Sequence, residues 1–171
     1  MNYLSIETPI GKLTIAGTEA AVTNVYWYSD PENQIEACAY AQASEKTAEA
    51  SENLQTAVPA ILRAAAEQLF EYFRGERREF DIPLDPAGGE FFQRVWGIMR
   101  SVVPFGTTVS YSALAALAGK PRAARAVGMA NNRNPIPIFI PCHRVVGKDG
   151  SLVGFRSGVD VKAKLLALER G

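Results

Sequence analysis

The sequence predicts an α/β (α+β) protein with a small β-sheet domain at its amino terminus and a mostly helical domain after it. Early stretches alternate apolar and polar residues, whereas later stretches repeat apolar residues at helical spacing. The turn-forming segment Asp85–Gly89 separates the two patterns. We therefore expect one domain over residues 1–85 and a second domain over residues 88–171.

The amino-terminal elements follow from local patterns. The stretches YLSIE and KLTIAG, joined by TPIG, predict a β-hairpin, and VTNVYWY predicts a third strand. Apolar residues from Ile61 to Phe73 recur at three- and four-residue steps and predict a helix that ends before Gly75. The stretch REFDIPLD predicts a short strand. Residues 31–55 are rich in Ala, Glu, Gln and Ser, and they are compatible with either a surface helix or a long loop.

The second half contains a predicted helix-turn-helix. It begins after an amphipathic helix whose apolar side is formed by Phe91, Phe92, Val95, Trp96, Met99 and Val102. Ser110 can cap a helix that runs through Leu117, and Gly119 can adopt a left-handed turn. Pro121 can open a second helix that runs to about Ala130. This order of elements is typical of a helix-turn-helix.

The second helix of this motif has an unusually smooth surface around Arg125. The small residues on it are Ala123, Ala124, Ala126, Gly128 and Ala130. Side chains that read base edges in the major groove are nearly absent. The helix could thus approach DNA closely without reading its sequence. The alternative is that two core helices pack through these alanines and that the arginines are merely solvated.

Charge is divided unevenly between the two halves. Residues 1–90 contain six Lys/Arg and fifteen Asp/Glu, a net charge of −9, whereas residues 91–171 contain twelve Lys/Arg and three Asp/Glu, a net charge of +9. A basic half indicates a polyanionic partner, of which the phosphate backbone of DNA is the commonest. The alternative is that the halves neutralise each other across an internal interface.

The sequence predicts a cytoplasmic protein without membrane contact. No apolar run reaches the roughly 20 residues of a membrane helix, and the amino terminus lacks a signal-peptide pattern. Cys38 and Cys142 are the only cysteines, and a disulfide between them is the less favoured interpretation for a cytosolic chain. Two cysteines and one histidine without a Cys-x-x-Cys pair predict no metal site, and we expect no cofactor.

Cys142 precedes His143, the chain's only histidine, in the apolar segment PIPIFIPCHRVVG. A thiol is nucleophilic as the thiolate, so its pKa has to fall from about 8.5, and His143 is the candidate base. Neighbouring side chains in an extended segment point apart, so a contact between Cys142 and His143 needs either a sharp turn after Pro141 or a bridging water, and we expect the water. Of Asp149, Asp160 and Glu169, we choose Glu169 to orient the imidazole because it lies on the apolar-patterned final helix. A buried cysteine beside a hydrogen-bonded histidine in the core is the alternative.

Two of these motifs resemble one protein family. NPIPIFIPCHRVVG resembles the active-site signature of the O6-alkylguanine-DNA alkyltransferases, and SYSALAALAGKPRAARAVG resembles their helix-turn-helix. Together with FFQRVWGIMRSVVPFGTTVSY and LLALERG, the similarity spans about Phe91 to Gly171. The amino-terminal half is similar only in layout, which implies a small ribonuclease-H-like sheet with a helix. The resemblance implies a stand-alone bacterial repair protein with methylated-DNA–protein-cysteine S-methyltransferase activity.

The resemblance implies a role for each residue that matches the family's active site. Cys142 would accept the alkyl group from O6-alkylguanine, and from O4-alkylthymine, in one irreversible turnover. His143 would remove the thiol proton through a water, with Glu169 orienting it. Tyr111 would donate to guanine N3, and Asn134 would tie the helix-turn-helix to the active-site loop.

The resemblance also implies how DNA binds. The partner would be double-stranded DNA approached from its minor groove, with Arg125 replacing a base that flips into the protein. Tyr111 and the small residues Ala123, Ala124, Ala126 and Gly128 would lie against the DNA. The substrate pocket would be formed by Val145, Phe155, Arg156 and Ser157. We expect a monomer, and a transcriptional regulator or a turnover cysteine hydrolase is the alternative function.

Overall fold

The computed structural model describes residues 1–27 and 58–171. The strands within them are β1 (Asn2–Thr8), β2 (Gly11–Gly17), β3 (Val22–Trp27), β4 (Val109–Ser110) and β5 (Val145–Val146). The α-helices are α1 (Ala60–Phe73), α2 (Glu90–Val102), α3 (Tyr111–Leu117), α4 (Ala124–Asn132) and α5 (Val159–Arg170). The prediction for residues 31–55, including Cys38, lies outside the described residues.

The first three strands form an antiparallel sheet in the order β1-β2-β3. Leu13 lies opposite Ile6 on one side and Trp27 on the other, so the sheet has an apolar face. Helix α1 packs on the sheet and buries Leu62 and Leu69 completely. The predicted hairpin, third strand and amphipathic helix are therefore confirmed.

The strand predicted from REFDIPLD is wrong. The segment makes a single parallel bridge, in which the amide of Val22 donates to the carbonyl of Pro83 over 3.0 Å and the amide of Asp85 donates to that of Val22 over 2.8 Å. Because Pro83 has no N–H to donate, it cannot extend the ladder. Residues 85–89 carry no helix or strand, and the division into two domains there stays a prediction.

Helix α2 anchors the helical half. Val95, Trp96 and Met99 are buried on one side of it, and the indole N–H of Trp96 donates to the carbonyl of Ala130 over 2.8 Å, which fastens α2 to α4. Phe91 and Phe92 are half-buried, as expected for the edge of the apolar face. Val102 is 48% exposed, so its prediction as part of that face is wrong; it occupies the last turn, where the helix leaves the core.

The helix-turn-helix is present, with one boundary corrected. The hydroxyl of Ser110 accepts from the amide of Ala113 over 3.1 Å and caps α3, and Gly119 adopts a φ of +74°. The second helix begins at Ala124 rather than at Pro121. Pro121 instead lies inside a turn closed by the amide of Ala123, which donates to the carbonyl of Lys120 over 2.8 Å.

The segment between α4 and Cys142 is a tightly held buried loop. The side-chain Nδ2 of Asn134 donates to the carbonyl of Ile140 over 2.9 Å, and its Oδ1 accepts from the backbone amide of Ile136 over 3.0 Å. Ile138 adopts a φ of +74°, a strained conformation for a β-branched residue. Such strain persists only where the surrounding structure imposes it. Asn134 therefore closes the loop that carries Cys142.

The described first half contacts the second half directly. In one such contact, the amide of Val25 in β3 donates to the carbonyl of Pro135 over 2.8 Å, so the edge of the sheet is fixed to the loop before Cys142. Within the described parts of the chain, every helix is too short or too polar to cross a bilayer.

Candidate active site

Cys142 lines a cavity of about 600 Å³. Most of its wall comes from strand β3, from helix α4 with the residues that follow it, and from the segment Val153–Ser157, and Tyr111 of helix α3 adds to it. This volume is within the usual range for a small-molecule pocket. Arg125, on the second helix of the helix-turn-helix, lines the same cavity. The sulfur-bearing residue and the arginine-bearing helix therefore meet at one site.

Cys142 begins a single 3-10 turn, Cys142–Arg144, and is a free cysteine. This turn, which follows Pro141, replaces the extended segment that was expected there. Burial raises the pKa of the Cys142 thiol to about 11, whereas Asn134 and Lys162 act in the opposite direction. This direction is opposite to the expected lowering: burial favours the neutral thiol, so a base has to remove its proton before the sulfur can act as a nucleophile.

His143 is completely buried and is oriented by Glu169. Its Nε2 lies 2.7 Å from Glu169 Oε1, so Nε2–H donates to the carboxylate when the ring is neutral. Burial lowers the pKa of His143, whereas its hydrogen bond to Glu169 acts to raise it. Nδ1 is buried without a hydrogen-bond partner among the described residues. A neutral imidazole with a free Nδ1 lone pair can act as a base.

Arg144 was not predicted as part of the site, yet it holds the carboxylate. Its Nε donates to Glu169 Oε2 and its Nη2 to Glu169 Oε1, each over 2.9 Å, and its Nη1 donates to the carbonyl of Val103 over 2.7 Å. The hydroxyl of Tyr72 donates to Glu169 Oε1 over 2.8 Å, and the amide of Gly106 to Oε2 over 3.2 Å. Burial alone would raise the pKa of Glu169, but hydrogen bonds from His143 and Arg144 lower it to about 2.

Lys162 is a second residue that the sequence reasoning missed. It is completely buried, and its Nζ donates to the carbonyl of Val145 over 2.6 Å and to that of Val153 over 3.2 Å. Its positive charge favours the thiolate of Cys142. The spacing of Lys162, Leu166 and Glu169 places all three on one face of α5, and this pattern was a usable signal for a buried lysine.

Tyr111 and Asn131 lie together in the cavity wall. The hydroxyl of Tyr111 donates to the carbonyl of Val153 over 3.0 Å. Burial raises the pKa of Tyr111, and the amide of Asn131 beside the hydroxyl acts against this. Both polar atoms of Asn131 are buried without a hydrogen bond of normal geometry to any described residue. No sequence pattern had singled out Asn131.

Some of the predicted site residues line the cavity, and others do not. The residues that line the cavity are Tyr111, Ala124, Arg125, Gly128, Asn134, Phe155, Arg156 and Ser157. Phe155 also packs edge-on against Trp27, with ring centroids 6.2 Å apart. Ala123 and Ala126 are half-buried and lie outside the cavity wall. Val145 was expected in the pocket and does not line it, because its side chain is fully buried in the core.

Comparison with known proteins covers both halves of the chain. The model of the 6-O-methylguanine DNA methyltransferase ribonuclease-like domain matches residues 1–86, and that of the DNA binding domain matches residues 90–171. The methylated-DNA–protein-cysteine methyltransferase of Mycolicibacterium paratuberculosis is 43% identical over 170 residues, which are 99% of this chain and 93% of the relative. A protein of the same name from Methanosarcina barkeri is 42% identical over 169 residues, 99% of this chain and 97% of the relative.

Solved structures show the same fold. The crystal structure of Mycobacterium tuberculosis O6-methylguanine methyltransferase has a TM-score of 0.77 at 40% identity and covers 99% of this chain and 92% of its own. The structure of Mycobacterium tuberculosis OGT in complex with DNA has a TM-score of 0.79 at 36% identity and covers 99% and 93%. The predicted fold class is confirmed. The chain belongs to the 6-O-methylguanine DNA methyltransferase family.

Proposed function

We propose that this protein repairs duplex DNA by transferring the alkyl group of O6-alkylguanine to Cys142. The observation that carries the proposal is that Cys142 and Arg125 line one cavity large enough to hold a nucleobase. Membership of the family supports the transferase over the transcriptional regulator and the cysteine hydrolase. The proposed setting is the cytoplasm, and O4-alkylthymine is a second proposed substrate.

The chemistry is an in-line displacement at the alkyl carbon. The thiol proton passes through a water to Nδ1 of His143, and the Cys142 sulfur forms a bond to the carbon as the bond from carbon to O6 breaks. The electron pair of that broken bond stays on the guanine, which takes up a proton at its ring, while the imidazolium returns its proton to solvent. The hydroxyl of Tyr111, which donates to the carbonyl of Val153 in this structure, would turn to donate its hydrogen bond to N3. Because burial raises the pKa of Cys142 to about 11, the thiol needs a base that takes up its proton.

The geometry of the cavity suits a base that has left the helix. O6 of a stacked guanine is out of reach of a protein thiol, so the nucleotide must flip out. Arg125 is exposed on α4 and would fill the space left in the duplex, which recovers part of the unstacking cost. The smooth surface formed by Ala123, Ala124, Ala126 and Gly128 permits a close approach from the minor groove.

The side-chain amide of Asn131, which makes no hydrogen bond of normal geometry to a described residue, is an additional argument for a nucleobase. A buried amide without partners is costly, so a ligand that offers both a donor and an acceptor is favoured at this position. The edge of O6-alkylguanine that carries N1 and the exocyclic amine offers one acceptor beside one donor. A purely apolar ligand would leave the amide unpaired.

Intact-protein mass spectrometry tests the proposal directly. The chain is mixed with an excess of duplex DNA that contains O6-methylguanine, and the expected product carries one methyl group on Cys142. The gain stops at one equivalent because a thioether is a poor leaving group. Cys142→Ser gives no mass gain and still binds DNA, and this variant retains Cys38 as an internal control.

Two results would contradict the proposal. Methylation of Cys38 in place of Cys142 would exclude the assigned acceptor, and release of many equivalents of product would indicate a turnover hydrolase. Analytical ultracentrifugation of the same samples tests the proposed monomer. Sequence-specific binding by a dimer would favour the regulator instead.

A further inference from the structure

From the described residues, the carboxylate of Glu169 receives five hydrogen bonds, and one of them comes from the first half of the chain. His143, Arg144 and Gly106 belong to the second half. The hydroxyl of Tyr72, in helix α1, donates to the same oxygen, Oε1, that accepts from His143. Tyr72 thus connects α1, which packs on the β-sheet, to the residue that orients the candidate base.

Packing alone does not explain a tyrosine at this position. Tyr72 is completely buried, and its ring lies 5.4 Å from that of Phe73, 5.5 Å from that of Phe80 and 6.0 Å from that of Phe105. A phenylalanine would make the same ring contacts without a hydroxyl to desolvate. A buried hydroxyl needs a partner, and here the partner is the carboxylate 97 residues away in the sequence.

The shared oxygen gives the hydroxyl a chemical consequence. Every donor to Oε1 draws negative charge from the atom that attracts the proton of His143. Besides Tyr72, the titratable groups of the described residues that face this pair are Arg144 and Lys162, which disfavour a charged imidazole, and Cys142 in the same turn. Removal of the hydroxyl would therefore strengthen the attraction of Glu169 for a protonated His143.

We propose that Tyr72 is a positioning residue, through which the first half of the chain fixes the orientation and charge of Glu169 and so the basicity of His143. The hydrogen-bond geometry carries this inference for the resting protein. Its effect on alkyl transfer to Cys142 rests on the proposed function. The role would explain why a helix packed on the amino-terminal sheet reaches the site at all.

The test is Tyr72→Phe, with Tyr3→Phe as the matched control on strand β1. His143 is the only histidine, so its nitrogen resonances in ¹⁵N-labelled full-length protein can be followed without overlap from other imidazoles. We expect the midpoint of the His143 titration to move upward by at least about half a pH unit in Y72F, since a hydrogen bond to a charged group is lost. Y3F should leave the midpoint unchanged.

Alkyl transfer gives a second measurement. If His143 acts as a base, the acid limb of the rate–pH profile in Y72F moves upward by the same interval as the titration. A moved titration with no alkyl transfer in either protein would refute the proposed function and leave the role of Tyr72 intact. An unchanged or lowered titration midpoint would overturn the role of Tyr72, even if the variant were less stable or less active.

A measurement on the wild-type chain covers the case in which Y72F does not fold. With ¹³C-labelled tyrosine, the Cζ resonance of Tyr72 should shift as His143 is protonated and should show the same midpoint. The resonance of Tyr3 should not follow that midpoint. A Tyr72 resonance that ignores the titration of His143 would overturn the proposal as firmly as an unmoved midpoint in Y72F.

Discussion

The two halves of the chain carry charge in different ways. In the described part of the first half, ion pairs lie at or near the surface: Arg74 pairs with Glu76 in an exposed position, and Arg77 pairs with Glu71 in a half-buried one. In the second half, Arg144 and Glu169 pair in the interior, where His143 and Lys162 are also buried. Ion pairs that are in contact with solvent contribute little to the free energy of folding. A buried ion pair has lost its hydration, so removal of either partner leaves a costly unpaired charge in the interior.

This difference changes how the net charge of each half is interpreted. Of the twelve cations in residues 91–171, Arg144 and Lys162 are buried, and so is Glu169 among the three carboxylates. The other ten cations and two carboxylates are exposed. The surface of residues 91–171 therefore remains basic, as the sequence predicts, although two of the cations are buried. These two contact Glu169 and the carbonyls of the cavity loops and act on Cys142, so they are not available to bind a polyanion.

The largest expected effect comes from Glu169→Gln. This change leaves Arg144 buried without its counter-charge, which costs about 3–5 kcal/mol of folding free energy. It also removes the orientation of His143, so alkyl transfer should fall by more than about 100-fold. Urea unfolding and single-turnover kinetics measure the two losses.

The matched control for this variant is Glu76→Gln, which removes a carboxylate from a surface pair in the first half. It should change neither quantity measurably. If Glu169→Gln were as mild as Glu76→Gln, the distinction between buried and surface charge would fail.

Arg125→Ala is expected to have the next largest effect. Without a side chain to fill the duplex, repair of O6-methylguanine in double-stranded DNA should slow by about 10- to 100-fold. Reaction with a free O6-alkylguanine base should be nearly unaffected, because no base has to flip. The comparison of the two substrates in single-turnover assays isolates the proposed intercalating role.

Arg122→Ala is the control for that comparison, since Arg122 is exposed in the turn before α4 and does not line the cavity. It should lower both rates little at saturating DNA. Equal losses with duplex and free base in Arg125→Ala would show that Arg125 supports the cavity and does not replace the base.

Local sequence patterns were enough for most of the fold. The hairpin, the helix ending before Gly75 and the cap at Ser110 all depend on neighbouring residues, and all three are present. The REFDIPLD strand failed because pairing depends on a partner that is distant in sequence, and Pro121 failed because a proline suits a turn as well as a first helical turn.

The candidate site was predictable only where the chemistry of one residue indicates what its partner must be. A histidine on a buried segment needs a hydrogen-bond acceptor to orient its ring, and this requirement led to the prediction of Glu169. Tyr72 and Arg144 contact Glu169, which is distant from both in the sequence, so no local sequence pattern predicts these contacts. The raised pKa of Cys142 likewise depends on burial by the whole surrounding structure. Lys162 was within reach of a helical-face argument.

The buried cluster also predicts how stability changes with pH. Burial lowers the pKa of His143 in the folded chain below its ordinary value of 6.5. At a pH below 6.5, the histidine is therefore protonated in the unfolded chain while it is still neutral in the folded chain. The free energy of unfolding should therefore fall as the pH drops below 6.5, by at most about 1.4 kcal/mol per pH unit. Glu169 adds a second loss from pH 4.5 toward its folded pKa of about 2.

Urea unfolding of the wild type and of His143→Gln between pH 8 and pH 3 separates these two contributions. The variant should lose the decline near pH 6.5, because the chain has no other histidine. The acidic decline below pH 4.5 should remain in the variant. A decline near pH 6.5 that persisted in His143→Gln would assign it to another group.

The smallest expected effect concerns the exposed cations of the second half. If Arg122 contacts a DNA phosphate, Arg122→Ala should weaken binding to all duplex sequences alike. It should also reduce the slope of log K against log salt concentration by about 0.9. Arg74→Ala, at a solvated surface pair of the first half, should leave the slope unchanged. Fluorescence anisotropy at several salt concentrations measures both variants. Because counterion release depends only on the phosphates that are neutralised, equal slopes in Arg122→Ala and wild type would remove Arg122 from the interface without affecting the roles of Arg125 and Cys142.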